Sequence, residues 1–194
     1  EVSMKKLNCS IFGVLAVFAA AVVLLFTACA KEYAIGDTGP AGGIIFYDDE
    51  ADGVDDIPDV RYLEAAPVET EWEEVQWGEK GIDIPGADRT AVGTGMQNTE
   101  DIIKQQGADS EYAAALCTGL SFAKCDDWFL PSKDELQLMY QVLSSDDNEG
   151  VRFVNYWSSS EASDYNSWIN IFNQGLEATH NKELQFSVRA VRAF

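Results

Sequence analysis

Positive charge is scarce in this chain: Lys and Arg number 13 against 33 Asp and Glu, a formal net charge of −20 over 194 residues. A surface of that sign repels phosphate backbones and anionic headgroups, which removes nucleic acid from the partners to consider. No helix-turn-helix or RNA-binding motif argues otherwise. Histidine is nearly missing, with His180 the sole example. Metal chemistry and His-based acid–base catalysis therefore have little to draw on, and neither a cofactor nor a metal is implied. Low-complexity tracts are absent, and a hydrophobic share of 46% with 11% aromatics is enough for a packed core, which excludes the disordered class. The length suits one ordinary domain once a targeting segment is set aside.

That segment is the first thirty residues. Lys5 and Lys6 precede an uncharged run from Leu7 to Ala30, which has small residues just before Cys29. This is the form of a secretory signal. The stretch "LFTAC" resembles the bacterial lipobox, in which the cysteine takes a diacylglyceryl thioether and becomes the new N-terminus. Phe26 departs from the usual Leu, Val or Ile three places before the cysteine, and Leu25 stands one place earlier. An uncleaved anchor is the alternative, since such a run can cross roughly 30 Å of hydrocarbon. The expected organisation is a signal peptide over 1–28, a lipidated tether over 29–34 beginning at Cys29, and a single domain over 35–194. That places the protein in the cell envelope, lipid-anchored to a bacterial membrane, at the outer membrane or cell surface. Cys117 and Cys125 then remain as an even pair in an oxidising compartment, where one disulfide is the simplest expectation. A zinc site needs further ligands, and a catalytic thiol is the other alternative.

Along the domain, a turn cluster from Gly36 to Gly43 leads into the β-branched and aromatic run Ile44 to Tyr47, read as a strand. "VRYLEAAP" is its candidate hairpin partner across an acidic loop. In that loop Asp48, Glu50, Asp52, Gly53 and Asp59 loosely match the offsets of a calcium loop. Glu at the third offset and Asp at the twelfth depart from the pattern, so a solvated acidic loop is the simpler account. "GTGMQNT" lacks the lysine of a phosphate loop and reads as a turn feeding a helix from Thr99, capped by Asn98. A second helix follows in "DSEYAAALCTGLSF", with Tyr112, Leu116 and Leu120 at helical spacing. "LPSKDELQLMYQVL" is the clearest local signal: Ser132 caps, Glu135 completes the capping box, and Leu136, Met139 and Leu143 form one stripe. The C-terminal part is β in character. A strand over 168–172 is apolar on both faces and belongs inside a sheet, with the helices on one side. "QFSVRAVRAF" closes the chain as a strand, with Arg189 and Arg192 on opposite faces, so at least one needs a carboxylate partner.

Six ordered stretches, "IGDTGPAGGIIFY", "RYLEAAP", "GTGMQNTEDII", "DDWFLPSKDELQLMY", "YWSSSE" and "FSVRAVRAF", resemble the domain-of-unknown-function family typified by the C-terminal domain of the Legionella collagen-like adhesin. More distantly, an "LPS" turn into a helix, a tryptophan-bearing strand and a terminal Val- and Arg-rich strand are similar to C-type lectin-like domains of the formylglycine-generating-enzyme type. The resemblance implies an α+β, C-type lectin-like domain with two main helices on a twisted, mostly antiparallel sheet and termini close together. It further implies surface recognition of a protein or glycan through C-terminal loops.

In this chain the comparable stretch supplies Ser160, Asp164, Tyr165, Asn166, Asn173, His180 and Asn181 as candidate ligand-binding residues. Tyr, Ser and Asn suit such loops because they give contact area and hydrogen bonds at low entropic cost. Trp157 and Trp168 are assigned to the core, and Ser159 to Asn166 to an exposed loop; ordinary turn chemistry also accounts for polar residues of this kind. Two departures limit the inheritance. The acidity does not fit a sulfated polysaccharide, and the "EPN" and "WND" calcium signatures of sugar-binding lectins are missing. An oxidase using cysteines is a competing reading, but Cys117 and Cys125 precede the "LPS" helix and do not match the late positions of those catalytic cysteines. An envelope protein without a specific ligand is the third reading.

Overall fold

A computed structural model describes residues 31–51, 57, 60–109, 111–145 and 152–194, of which Glu32–Phe194 belong to one compact unit. Among the described residues the architecture is α+β, with two sheets and three α-helices. The expected hairpin forms: β1 (Ile44–Asp48) pairs antiparallel with β2 (Tyr62–Ala65), Ile44 opposite Ala65. The other side of β2 takes the last strand, β8 (Val191–Ala193). The second sheet comprises β3 (Trp72–Gln76), β4 (Asn155–Glu161), β5 (Asn166–Ile171), β6 (Leu176–Asn181) and β7 (Gln185–Val188). Its order is β3-β7-β4-β5-β6, and only the β4 and β7 contact is parallel. The termini of the unit meet, with the Tyr33 ring 5.8 Å from that of Phe194 and 5.4 Å from that of Tyr62.

Strand β5 lies between β4 and β6, as its two apolar faces require. The helices do not share one side of the sheet. Tyr156 and Trp157, adjacent on β4, point to opposite faces. Trp157 packs with Ile169 and Val188, with Ile102 of α1 (Gly95–Gln106) and with the buried alanines and Cys117 of α2 (Ala113–Gly119). Tyr156 packs with Phe172, with Leu136, Met139 and Leu143 of α3 (Lys133–Leu143), and with Phe46 and Leu63 of the small sheet. Each of these large side chains contributes about 1.5–3 kcal/mol relative to exposure.

Helix α1 begins four residues before the predicted start. Asn98 is not its cap. It is fully buried within the helix, where its amide donates to Arg89 O at 2.7 Å and to Ser159 Oγ at 3.3 Å. The predicted terminal strand breaks into β7 and β8 because Arg189 turns inward between them. It is 2% exposed, donates to Ala66 O at 2.7 Å and lies 3.3 Å from the Glu71 carboxylate, which also accepts from the Tyr156 hydroxyl. Arg192 makes a two-point pair with Asp127 at 2.9 and 2.8 Å. Both arginines thus have the carboxylate partners that the pattern demands.

Two motifs owe their glycines to buried glutamates. In "DTGPAGG" the loop folds over Glu64, whose carboxylate accepts from Ala41 N at 3.1 Å and Gly43 N at 2.8 Å. A Cβ on Gly43 would stand 1.9 Å from Ala65 O, so no other residue fits that approach. In "LPSKDEL" the predicted capping box is present, Ser132 Oγ accepting from Glu135 N and Glu135 Oε2 accepting from Ser132 N at 2.7 Å. Glu135 reaches further. Its Oε1 accepts from Gly93 N at 2.8 Å and Gly95 N at 3.3 Å, tying the "GTG" turn and the start of α1 to α3.

Complete burial pushes the Glu135 carboxyl up to about 7, against the pull of the backbone donors around it. A carboxyl raised in the folded state stabilises fully below its ordinary value of 4.5, and that contribution is lost as pH rises through about 7. The slope attributable to one group reaches about 1.4 kcal/mol per pH unit. Burial raises Glu64 and Glu71 in the same direction, so the comparison has to be made against a variant. Denaturant unfolding of Glu135→Gln between pH 4.5 and 8 should show a shallower decline than the parent; parallel curves would remove Glu135 as a contributor.

Candidate recognition rim and cleft

The second half of β4 is bordered by loops. Ser159 N donates to Pro131 O and Glu161 N to Ala87 O, each at 2.7 Å, while the pairing with β5 slips between Trp157 and Glu161. This corrects the expected exposed loop over Ser159 to Asn166, because the strand continues to Glu161 and Ser158, Ser159 and Ser160 are fully buried. Ser160 is thus placed in the interior and away from the exposed turn: its hydroxyl donates to Arg89 O at 2.6 Å and accepts from Lys133 N at 2.9 Å. Ser158 and Ser167 are likewise occupied, bonding Trp168 O and Ser160 O. Trp157 is in the core as predicted. Trp168 is only half-buried, with the Lys133 ammonium 5.3 Å from its ring centre.

What remains outside is a tight turn. Ala162 N and Ser163 N donate to Asn166 O, and Ser163 Oγ accepts from Tyr165 N at 3.2 Å and Asn166 N at 3.1 Å. This hydroxyl-closed turn lifts Tyr165, 52% exposed, to the tip, with Asp164 and Asn166 beside it. Cross-strand register sets Asn181 opposite Asn166. Asp164, Tyr165, Asn166 and Asn181 thus converge into one rim. His180 belongs to the opposite face by strand alternation, its ring edge-on to Phe186 at 5.4 Å. Asn173 is exposed, but it sits in the turn at the far end of β5, roughly 17 Å away at about 3.4 Å per residue.

Beneath the rim is a buried ion pair that sequence reasoning missed. Lys182 and Glu161 are 0% and 5% exposed and bond each other directly. Lys182 Nζ also donates to Ile82 O at 2.8 Å, Glu161 Oε2 accepts from Ile84 N at 3.0 Å, and the ammonium stands 4.7 Å from the Trp77 ring centre. No periodicity in "HNKEL" marks its lysine as internal. Only the distant Glu161 explains it.

A cleft of about 500 Å³ opens next to the rim, lined by Gln76, Gly78, Glu79, Gln106, Glu111 and Glu183 among others. Gly81 N donates to Asp164 O at 2.8 Å and Trp77 N to Lys182 O at 3.0 Å, so cleft and rim share one frame.

The remaining candidates divide. Cys29 lies outside the described residues, as do Asp52, Gly53 and Asp59 of the acidic loop. Asp48 and Glu50 of that loop are drawn onto Arg61, each at 3.3 Å. The predicted disulfide is not formed: Cys117 and Cys125 are free thiols. Cys117 faces the core from α2, and Cys125 is held in a tight bridge with Phe122, its Sγ directed toward Ala123 O at 3.9 Å. Burial raises the Cys117 thiol, which disfavours a thiolate nucleophile. No protein-family model matches the chain, and no curated protein matches it significantly.

Removing one partner of a buried pair costs about 3–5 kcal/mol because the other charge is left uncompensated. Lys182→Met should therefore lose stability on that scale in denaturant unfolding, and the double variant with Glu161→Gln should recover part of it. Simple additivity of the two single losses would show that the residues act independently.

Proposed function

We propose that this is a surface-exposed, lipid-anchored recognition module with a C-type lectin-like fold, acting as an adhesin-like binder of a protein or glycan and not as an enzyme. The observation that carries the reading is the rim. Asp164, Tyr165 and Asn166 belong to a turn closed by internal hydrogen bonds above a buried ion pair, and Asn181 stands opposite Asn166 on the neighbouring strand. Amphipathic and amide side chains held on a stiff frame lose little entropy on binding, which is what recognition surfaces exploit. The anchoring at Cys29, the bacterial envelope location and the lectin-like ancestry rest on the "LFTAC" stretch and the six motifs, and the meeting of Tyr33 with Phe194 is compatible with that fold. Against catalysis stand the placement of the sole histidine against Phe186 and the burial of Cys117.

The test is the double substitution of Tyr165 and Asn166 to Ala, screened on protein and glycan arrays. Ligand capture should be lost while the unfolding free energy stays within about 0.5 kcal/mol, as for other surface changes. Unchanged capture would contradict the rim assignment.

A further inference from the structure

The edges of the two sheets differ in how they are closed. A strand edge exposes a row of N–H and C=O groups with which another chain can pair, and proteins ordinarily blunt it with bulges or covering segments. The open side of β1 is covered by the N-terminal loop, where Gly36 N donates to Ile45 O at 2.8 Å and Ile45 N to Asp37 O at 2.9 Å. On β8, Val191 exchanges both backbone bonds with Phe129. Strand β3 is interrupted by a register shift between Trp72 and Val75, with Glu74 in the left-handed region at φ 56°. Strand β6 has none of these devices. Its pairing with β5 runs without a shift from Leu176 to Asn181, it contains no proline, and Leu176, Glu177 and Thr179 are exposed.

Register decides which backbone groups of β6 are free, because bonded and non-bonded pairs alternate along an antiparallel ladder. Lys182 N donates to Tyr165 O and Gly175 N to Ile171 O, so the odd residues of β5 turn their backbone groups toward β6. The even ones turn toward β4, as Asn166 O does in accepting from Ala162 N. Opposite those even residues stand Glu177, Thr179 and Asn181. Their N–H groups, with the carbonyls of Glu177 and Thr179, therefore point outward and have no partner among the described residues, while the Asn181 carbonyl accepts from Leu184 N. An extended polypeptide presents acceptors and donors at the same repeat of about 6.8 Å.

Side chains along the edge narrow the occupant. Leu176 and Ala178 lie on one face beside Ile171 and Ile169; Glu177, Thr179 and Asn181 lie on the other beside Asn170, Trp168 and Asn166. The Lys133 ammonium is shared between Glu177 and Asp134, so one cation serves two acids there. A second copy of this chain would bring its own charge of −20 to the contact and be repelled, whereas a basic chain is drawn in. We infer that β6 accepts an added antiparallel strand from a basic partner protein, an extended segment that alternates apolar and polar residues. Its lysine or arginine stands opposite Glu177, and its apolar side chains stand opposite Leu176 and Ala178. Backbone bonds supply affinity in such a contact and the alternating side chains supply selectivity. This rests on the reading of the domain as a recognition module and names the kind of partner, with Asn181 common to the rim and the edge.

The experiment is calorimetric titration of the full chain with a blocked hexapeptide, acetyl-Lys-Val-Thr-Val-Arg-Val-amide, and two N-methylated forms of it. Methyl groups on its threonine and arginine remove the N–H groups that would face β6; methyl groups on its first two valines remove those that would face away. The parent and the valine-methylated peptide should bind, and the other form should bind at least about tenfold more weakly. In amide hydrogen exchange, Glu177 and Thr179 should exchange freely without peptide and slow when the parent is added, while Ala178 and His180 stay protected throughout. Thr179→Pro deletes an outward N–H and no bond to β5, so it should weaken the parent at least about tenfold and keep a cooperative thermal transition. No binding of the parent, equal binding of the two methylated forms, Glu177 and Thr179 amides unmoved by peptide, or a folded Thr179→Pro variant that binds as before would each overturn the inference. Without peptide the protein should sediment as a monomer; a dimer dispersed by Thr179→Pro would give the edge to a second copy and overturn it as well. The Tyr165 and Asn166 variant, run on the arrays, reads the rim separately. Loss of array capture in that variant, with no binding of the hexapeptide, would reject the edge and leave the module standing. Unchanged capture together with edge-specific peptide binding would reject the rim alone.

Discussion

The contact between Lys182 and Glu161 holds together the parts of this protein that face outward. One ammonium and one carboxylate, both inside, reach the end of β4, the end of β6, the backbone at Ile82 and Ile84, and the Trp77 ring. Trp77 and Ile84 of these segments are also buried in the main apolar cluster, so the pair adds to their packing. Desolvating the two charges is expensive, and it is offset because each also satisfies a backbone group that would otherwise be orphaned. The geometry, more than any net gain in stability, is what the pair secures: a turn with Tyr165 at its tip and a cleft wall beginning at Gly78.

The same device recurs. Glu64 gathers the N-terminal glycine loop, Glu71 meets Arg189 and Tyr156, and Glu135 joins the "GTG" turn to α3. An acidic chain thus uses buried carboxylates, Asp49 among them, as loop organisers, and most of the other described acids are at least partly exposed. This division explains how a net charge of −20 coexists with a packed interior.

Local chemistry made much of the frame legible. The capping box at Ser132 and Glu135, the hairpin of β1 and β2, the interior placement of β5 and the need of Arg189 for a carboxylate all follow from spacing and residue type. The failures share a cause, which is tertiary partners remote in sequence. Ser159 and Ser160 read as the start of an exposed loop, because nothing in "YWSSSE" reveals that Arg89, Pro131 and Lys133 would supply their hydrogen bonds. Asn98 reads as a cap until Arg89 O takes its amide. Nothing local marks Lys182 as internal; Glu161, 21 residues away, does. Of the seven candidate ligand residues, Asp164, Tyr165, Asn166 and Asn181 come together because turn closure and register are short-range; His180 and Asn173 part from them by strand alternation and strand length.

The central claim is that the outward turn and the cleft wall are anchored as firmly as the sheet. Native-state amide hydrogen exchange tests this most directly, read at Gly81, Ile84, Ala162 and Lys182, whose N–H groups bond Asp164 O, Glu161 Oε2, Asn166 O and Tyr165 O. These amides should be protected to within about tenfold of those in β4 and β5, as expected when they open only with the global unit. Exchange several orders of magnitude faster than the sheet would contradict it, and would mean that the turn and the cleft wall open independently of the sheet.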